Sequence, residues 1–307
     1  MSTNLSRVAS WAIDHPWAIT PDMLRVVGRT LARHVAGLEG LELEALGVER
    51  RQPAPASSPG AVAVLPIHGV IAPRMNLLSE VSGGATFEQA GEELERLGAD
   101  PSVSTIVLDW DSPGGSVAGA TEFAERVGRI AASKRVISHA NFACCSAAYW
   151  GAARSTEIVA SPSALVGSIG VYCLHENLSK YLENEGIELT YISAGRFKVD
   201  GNPSAPLSDS ARARLEALVA APYARFTADV AVGRHVTPDA VRAGFGEGAA
   251  LTATEALDAG LIDRVETLEA TLARAVTLPP LSSPVARVGR VAAELALERE
   301  IAAFGFV

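Results

Sequence analysis

Cysteine is scarce in this chain: three among 307 residues, Cys144, Cys145 and Cys173. An odd number with two adjacent builds no disulfide framework, and no spacing among them suits a zinc site. A reducing compartment is therefore expected. Positive charge is also in short supply. Lys and Arg total 26 against 35 Asp and Glu, a formal charge of −9, so no broad basic face can neutralise phosphates, and nucleic acid is not expected as the main partner. Long hydrophobic runs are missing too: Ala61 to Ile67 and Ser163 to Leu174 fall short of the roughly 18 to 20 residues that cross a bilayer. The first twenty residues carry Asp14 and His15 where a secretory signal would need an apolar core. These absences predict a cytoplasmic, soluble protein with no signal peptide and no transmembrane segment.

What is present is ordinary globular composition, 48% hydrophobic and 20% charged. Residues 1–50 carry helical patterns around Leu5 to Ile13 and Pro21 to Leu46, the second with Leu24, Val27, Leu31, Val35 and Leu38 spaced by three and four. This reads as an amphipathic N-terminal arm. Residues 51–60, rich in Pro, Ser and Ala, read as a linker. From Ala61 short apolar runs alternate with helical segments. Strands are expected at Ala61 to Ile67, Thr105 to Trp110, Arg135 to Ser138, Glu157 to Ala160 and Leu189 to Ile192. Helices are expected at Phe87 to Leu97, Val117 to Ala132, Ala147 to Ala153, Ser208 to Val230, Ala253 to Ile262 and Thr267 to Val276. Nearly continuous apolar strands separated by helices predict an α/β core with a largely parallel sheet. The domain spans 61–275, and 276–307 forms a C-terminal tail able to make one more helix.

Three stretches could carry chemistry. Ser146 follows an apolar run and small residues and precedes helix formers, which puts its hydroxyl at a strand-to-helix junction, where backbone N–H groups favour negative charge. A nucleophile and a simple N-cap both fit that position. Asp111-Ser-Pro-Gly-Gly-Ser-Val117 follows a strand and precedes a helix; Gly114 and Gly115 suit either a tight turn or an oxyanion hole, while GxGxxG spacing and a P-loop lysine are absent. Lys198, between Phe197 and Val199, is either a solvated loop lysine or a base. To be neutral near pH 7 it needs burial and neighbours worth roughly 4 kcal/mol. A triad using His139 stays open, although no GxSxG elbow surrounds Ser146. Cys144 and Cys145 have no adjacent base and read as small buried residues.

Taken in order, Ser112-Pro-Gly-Gly-Ser116, Ser146, Gly167-Ser-Ile-Gly-Val171 and Gly195-Arg-Phe-Lys198 resemble the serine/lysine peptidases of the signal peptide peptidase A (protease IV) family. Lys198-Val-Asp-Gly-Asn-Pro203 resembles the phage capsid-assembly, or head-maturation, branch, and Leu251 to Asp263 resembles the end of the family domain. The resemblance implies a ClpP/crotonase-like fold of repeated ββα units. It implies Ser146 as nucleophile, Lys198 as general base, Gly114 and Gly115 as oxyanion-hole residues, and Ser168 as the hydroxyl that orients the lysine. It implies no cofactor and no metal, polypeptide substrates (scaffold, portal or capsid proteins), and a homo-oligomeric ring with sites shared between protomers, working in the host cytoplasm or the procapsid interior. Cys-Ser-Ala-Ala stands here where many relatives have Ser-Gly or Ser-Ala-Gly, and the membrane anchor of the bacterial signal peptide peptidases is not expected in this chain. Three other roles remain: a soluble bacterial peptide hydrolase, a non-catalytic capsid component, and a crotonase-like acyl-CoA enzyme on the same superfold.

Overall fold

A computed structural model describes residues 16–21, 60–74, 84–279 and 281. Most of the expected N-terminal arm, the linker up to residue 59 and the tail beyond residue 281 lie outside the described residues.

Five strands form a parallel row in the order β2, β3, β5, β6, β9: β2 Ala61–His68, β3 Val103–Ser112, β5 Arg135–Cys145, β6 Glu157–Ala160 and β9 Arg264–Val265. Strand β5 changes partner along its length. Its residues Ile137 to Ala140 pair with β6, and Ala143 to Cys145 pair with β7 (Leu165–Gly167), which itself pairs antiparallel with β8 (Ala250–Thr252). The end of β5 therefore projects past β6 with its own support.

Helices cover both faces, as a parallel sheet requires. On one side lie α1 (Phe87–Ala99), α2 (Ala120–Ala131) and α3 (Ala147–Ala152). In α2 the buried residues Ala120, Phe123, Ala124, Val127, Ile130 and Ala131 fall at spacings of three and four and form one apolar stripe. Phe123 meets Trp110 of β3 edge-on and Phe87 of α1 in the main core. On the other face α8 (Leu268–Thr277) brings Ala275, Leu268 and Leu272 onto Val107, Ile137 and Val159. The remaining helices are α4 (Ser179–Asn184), α5 (Asp209–Arg234), α6 (Pro238–Gly244) and α7 (Ala253–Asp258). No helix among the described residues is long and apolar enough to cross a membrane.

The α/β class and the parallel sheet match the sequence reading, and the β3–β4–α2 passage, with β4 at Gly114–Ser116, is one ββα unit. Two local expectations change. Leu189 to Ile192 is not a strand; it runs over the surface without a strand partner, with Ile192 97% exposed. Its apolar residues lack the second strand that would turn them into a sheet edge. Conversely, Trp17–Ile19 forms a strand, β1, antiparallel to β4.

Candidate active site

The Ser-Pro-Gly-Gly turn closes over the end of β3. Ser112 Oγ accepts from Gly114 N–H at 3.1 Å, Gly114 O accepts from Ile71 N–H at 3.0 Å, and Ile71 O accepts from Ser116 N–H at 2.9 Å. Gly114 has φ of 106°, a conformation that L side chains rarely adopt. At Gly115 the constraint is space instead, because a Cβ would sit 2.0 Å from Ile71 O.

Ser146 occupies the junction of β5 and α3 with φ 55° and ψ −119°. Such a conformation in a non-glycine residue costs on the order of 1–3 kcal/mol and persists only when the surroundings impose it. They do so here. Its N–H donates to Gly167 O at 2.7 Å and its carbonyl accepts from Trp150 N–H at 2.9 Å. Helix α3 is fixed in turn: Tyr149 Oη donates to Leu261 O at 2.7 Å, and Trp150 Nε1 donates to Asp229 at 2.8 Å while its ring stacks on Phe226 at 4.5 Å. The hydroxyl donates to Gly170 O at 3.3 Å, and the residue is 1% exposed. A Cβ on Gly114 would lie 2.9 Å from Ser146 Cβ, so the glycine turn and the serine meet directly. The simple N-cap reading loses its main feature, since the side chain makes no cap hydrogen bond.

Ser168, with φ 50°, is also held: its N–H donates to Ala249 O at 2.9 Å and its Oγ to Gly248 O at 3.1 Å. Lys198 is exposed in a turn where its N–H donates to Gly195 O at 3.1 Å, beside Phe197, whose ring takes the Arg196 and Arg214 guanidiniums at 4.8 and 4.7 Å. The single chain thus brings together Ser146 and the Gly114-Gly115 turn, while Lys198 is exposed and, among the described residues, makes no hydrogen bond to Ser146 or Ser168. Next to Ser146, residues 169–177 and α5 enclose an open cavity of about 780 Å³ whose lining includes Ile169, Gly170, Tyr172, Leu215 and Tyr223.

The competing side chains are accounted for. Burial pushes the Cys144 thiol well up and Cys145 up to about 12, so neither is a thiolate near neutrality. His139 is fully buried with Nδ1 on Thr271 Oγ1 at 3.0 Å and Nε2 on Ser161 Oγ at 3.1 Å, leaving no ring nitrogen for Ser146. Burial holds its pKa below the ordinary 6.5. The unfolded chain therefore takes up the proton first as pH falls, and His139 contributes a loss of stability below about pH 6.5. His68, raised by its hydrogen bond to Asp109, has the opposite sign: its contribution is present below 6.5 and is lost as pH rises through its folded pKa. Denaturant unfolding at about pH 7.5 and about pH 5.5 should show a smaller acid loss in His139→Gln than in the parent; an unchanged difference would contradict this assignment.

The sequence reading missed two contributors. Ala147, the first residue of α3, carries an N–H that has no partner within its own helix by geometry. Strand β1 lies beside the glycine turn, and its signal is the aromatic and β-branched run Trp17-Ala-Ile-Thr20 between Pro16 and Pro21.

Residues 129–281 match the model of peptidase family S49. Capsid assembly protease C of Escherichia phage lambda is 32% identical over 279 residues, covering 85% of this chain and 63% of the relative. Head-tail preconnector protein GP5 of Enterobacteria phage P21 is 29% identical over 302 residues, covering 93% and 59%. Protease 4 of Salmonella typhi is 31% identical over 229 residues, covering 74% and 36%. The chain thus spans less than two thirds of the length of each of these relatives.

Proposed function

The chain belongs to peptidase family S49, and from that premise we propose that it is a serine endopeptidase acting on polypeptides of an assembling phage or prophage capsid. The observation that carries the proposal is Ser146, a strained residue at a strand-to-helix junction directly against the Gly114-Gly115 turn. Ser146 Oγ attacks the scissile carbonyl, and Lys198 Nζ takes its proton and returns it to the leaving amine. Gly114 N–H is tied to Ser112 within the turn and shapes it, while Gly115 N–H, paired with strand β1 rather than within the turn, faces the oxyanion with Ala147 N–H once an incoming polypeptide takes the place of that strand. Removing one such donor typically costs about 3 to 4 kcal/mol of transition-state stabilisation. The names of the two phage relatives, a capsid assembly protease and a head-tail preconnector protein, support a role in capsid assembly, and the substrates proposed are scaffold, portal, capsid protein or the chain itself.

Lys198 reaches Ser146 from a neighbouring protomer in this proposal. Supporting this, Lys198 is exposed in the single chain, and the segment around it carries uncovered Leu174, Tyr181, Leu189, Tyr191 and Ile192. Packing that surface against a second copy would bury the lysine beside apolar groups, which lowers an amine's pKa. Ser168, already fixed through its backbone, would then orient the amine. Ser146→Ala and Lys198→Ala proteins are each expected to be inactive alone. Mixed, dissociated and re-assembled, they are expected to recover cleavage, because each supplies the group the other lacks. A re-assembled mixture that stays inactive would contradict a shared site. Co-expression with portal and capsid proteins of the same genome should give fragments that depend on Ser146.

A further inference from the structure

Residues 16–20 run extended between two edges that flank Ser146. On one side Trp17, Ala18 and Ile19 stand opposite Ser116, Gly115 and Gly114, Thr20 N–H donates to Pro113 O at 3.0 Å, and Val117 N–H donates to Pro16 O at 3.4 Å. On the other, Trp17 N–H donates to Tyr172 O at 2.8 Å and Tyr172 N–H to Trp17 O at 3.0 Å. Bonded and non-bonded pairs alternate along an antiparallel ladder. With Pro16 opposite Val117 and Thr20 opposite Pro113 as bonded pairs, Ala18 and Gly115 form the bonded pair between them. Gly115 N–H therefore holds the Ala18 carbonyl. A Cβ on Gly114 would lie 2.2 Å from Ala18 O and 2.9 Å from Ser146 Cβ, so that carbonyl and the serine side chain crowd one point. Trp17, Ala18 and Ile19 are all buried. No second strand can enter while they are there.

We propose that residues 16–20 are an internal pseudosubstrate: they fill, as an antiparallel strand, the groove in which a polypeptide would lie, and they keep the folded chain latent until displaced. The consequence for activity rests on the reading of Ser146 as nucleophile; the occupancy does not. The register also says what a displacing polypeptide carries. Ala18 is fully buried in the main core cluster, so its position takes a small side chain. Recognition of the rest is through main-chain hydrogen bonds on both edges, the mode of β-strand addition.

The test uses the full-length chain with W17C and Y172C, a bonded cross-strand pair whose spacing of about 5.5 Å suits a disulfide, and a fluorophosphonate probe. With the disulfide closed, labelling of Ser146 is expected to be at least about tenfold slower than in the same sample after reduction, because the cross-link keeps the strand in the groove, whereas the reduced strand exchanges out of it as an intramolecular competitor. Labelling that is present and equal in both redox states overturns the proposal. A second measurement is independent of the chemistry. A synthetic peptide of residues 13–23 is expected to bind a Ser146→Ala chain lacking residues 1–20, and the peptide with Ala18→Phe is not. A truncated chain that is folded by circular dichroism and binds neither overturns the occupancy. Should it not fold, the redox comparison decides alone. Binding of the native peptide without labelling of the reduced full-length protein would keep the pseudosubstrate and remove Ser146 as nucleophile.

Discussion

Ser146→Ala is expected to leave a folded protein whose polypeptide cleavage falls on the order of 10⁴-fold or more, since removal of a nucleophilic serine leaves only binding and oxyanion stabilisation. The fold should survive because little depends on the hydroxyl. Its one hydrogen bond, to Gly170 O at 3.3 Å, is worth about 1 kcal/mol. The backbone at φ 55° is imposed by Gly167 and Trp150, which bond the main chain of residue 146 whatever its side chain. Cleavage of a quenched peptide and thermal unfolding, measured together, separate the two effects. A variant that keeps parental activity would remove Ser146 from the chemistry, and one that unfolds would make its role structural.

Gly115→Ala is the second large effect, and its cause differs. The added methyl would sit 2.0 Å from Ile71 O and 2.7 Å from Ile71 N, both main-chain atoms that cannot swing away like a flexible side chain. The turn must move, and with it the N–H proposed to face the oxyanion. Loss of one such donor costs about 10²- to 10³-fold in turnover, so a fall of at least that size is expected, with destabilisation in addition. Gly244→Ala provides the contrast. It closes α6 with an ordinary φ and has open space around it, so alanine should be neutral or slightly stabilising and leave turnover unchanged. Equal losses in the two variants would mean that glycine replacement harms this chain generally and that the turn is not special.

The α/β core could be read in advance because its strands and helices carry their own periods. Strand β6 begins and ends where the run Glu157 to Ala160 predicted, and α2, Ala120–Ala131, falls inside the helix expected over Val117 to Ala132. Ser146, Gly114 and Gly115 were legible for a related reason, because small residues and glycines at strand ends mark places where the backbone itself is close to something. Two features were harder. Leu189 to Ile192 has the β-branched and aromatic composition of a strand, and no local signal says that its partner strand is missing. Strand β1 is three residues long and gains its place from β4 and Tyr172, about a hundred or more positions away in the chain, so only the bracketing prolines hinted at it. Lys198 is a third kind of case. Its motif is clear in sequence, while the side chain is exposed in the single chain, and the proposed shared site would complete it only in an assembly.

The central claim is that Ser146 forms the covalent intermediate, and the most direct measurement is the mass of the modified peptide after protein that is actively cleaving polypeptide has been treated with a fluorophosphonate. The account predicts one adduct, on the peptide containing Ser146, that is lost in Lys198→Ala even though the serine is still present. Protein that goes on cleaving with Ser146 unmodified, or an adduct confined to another serine, would contradict it.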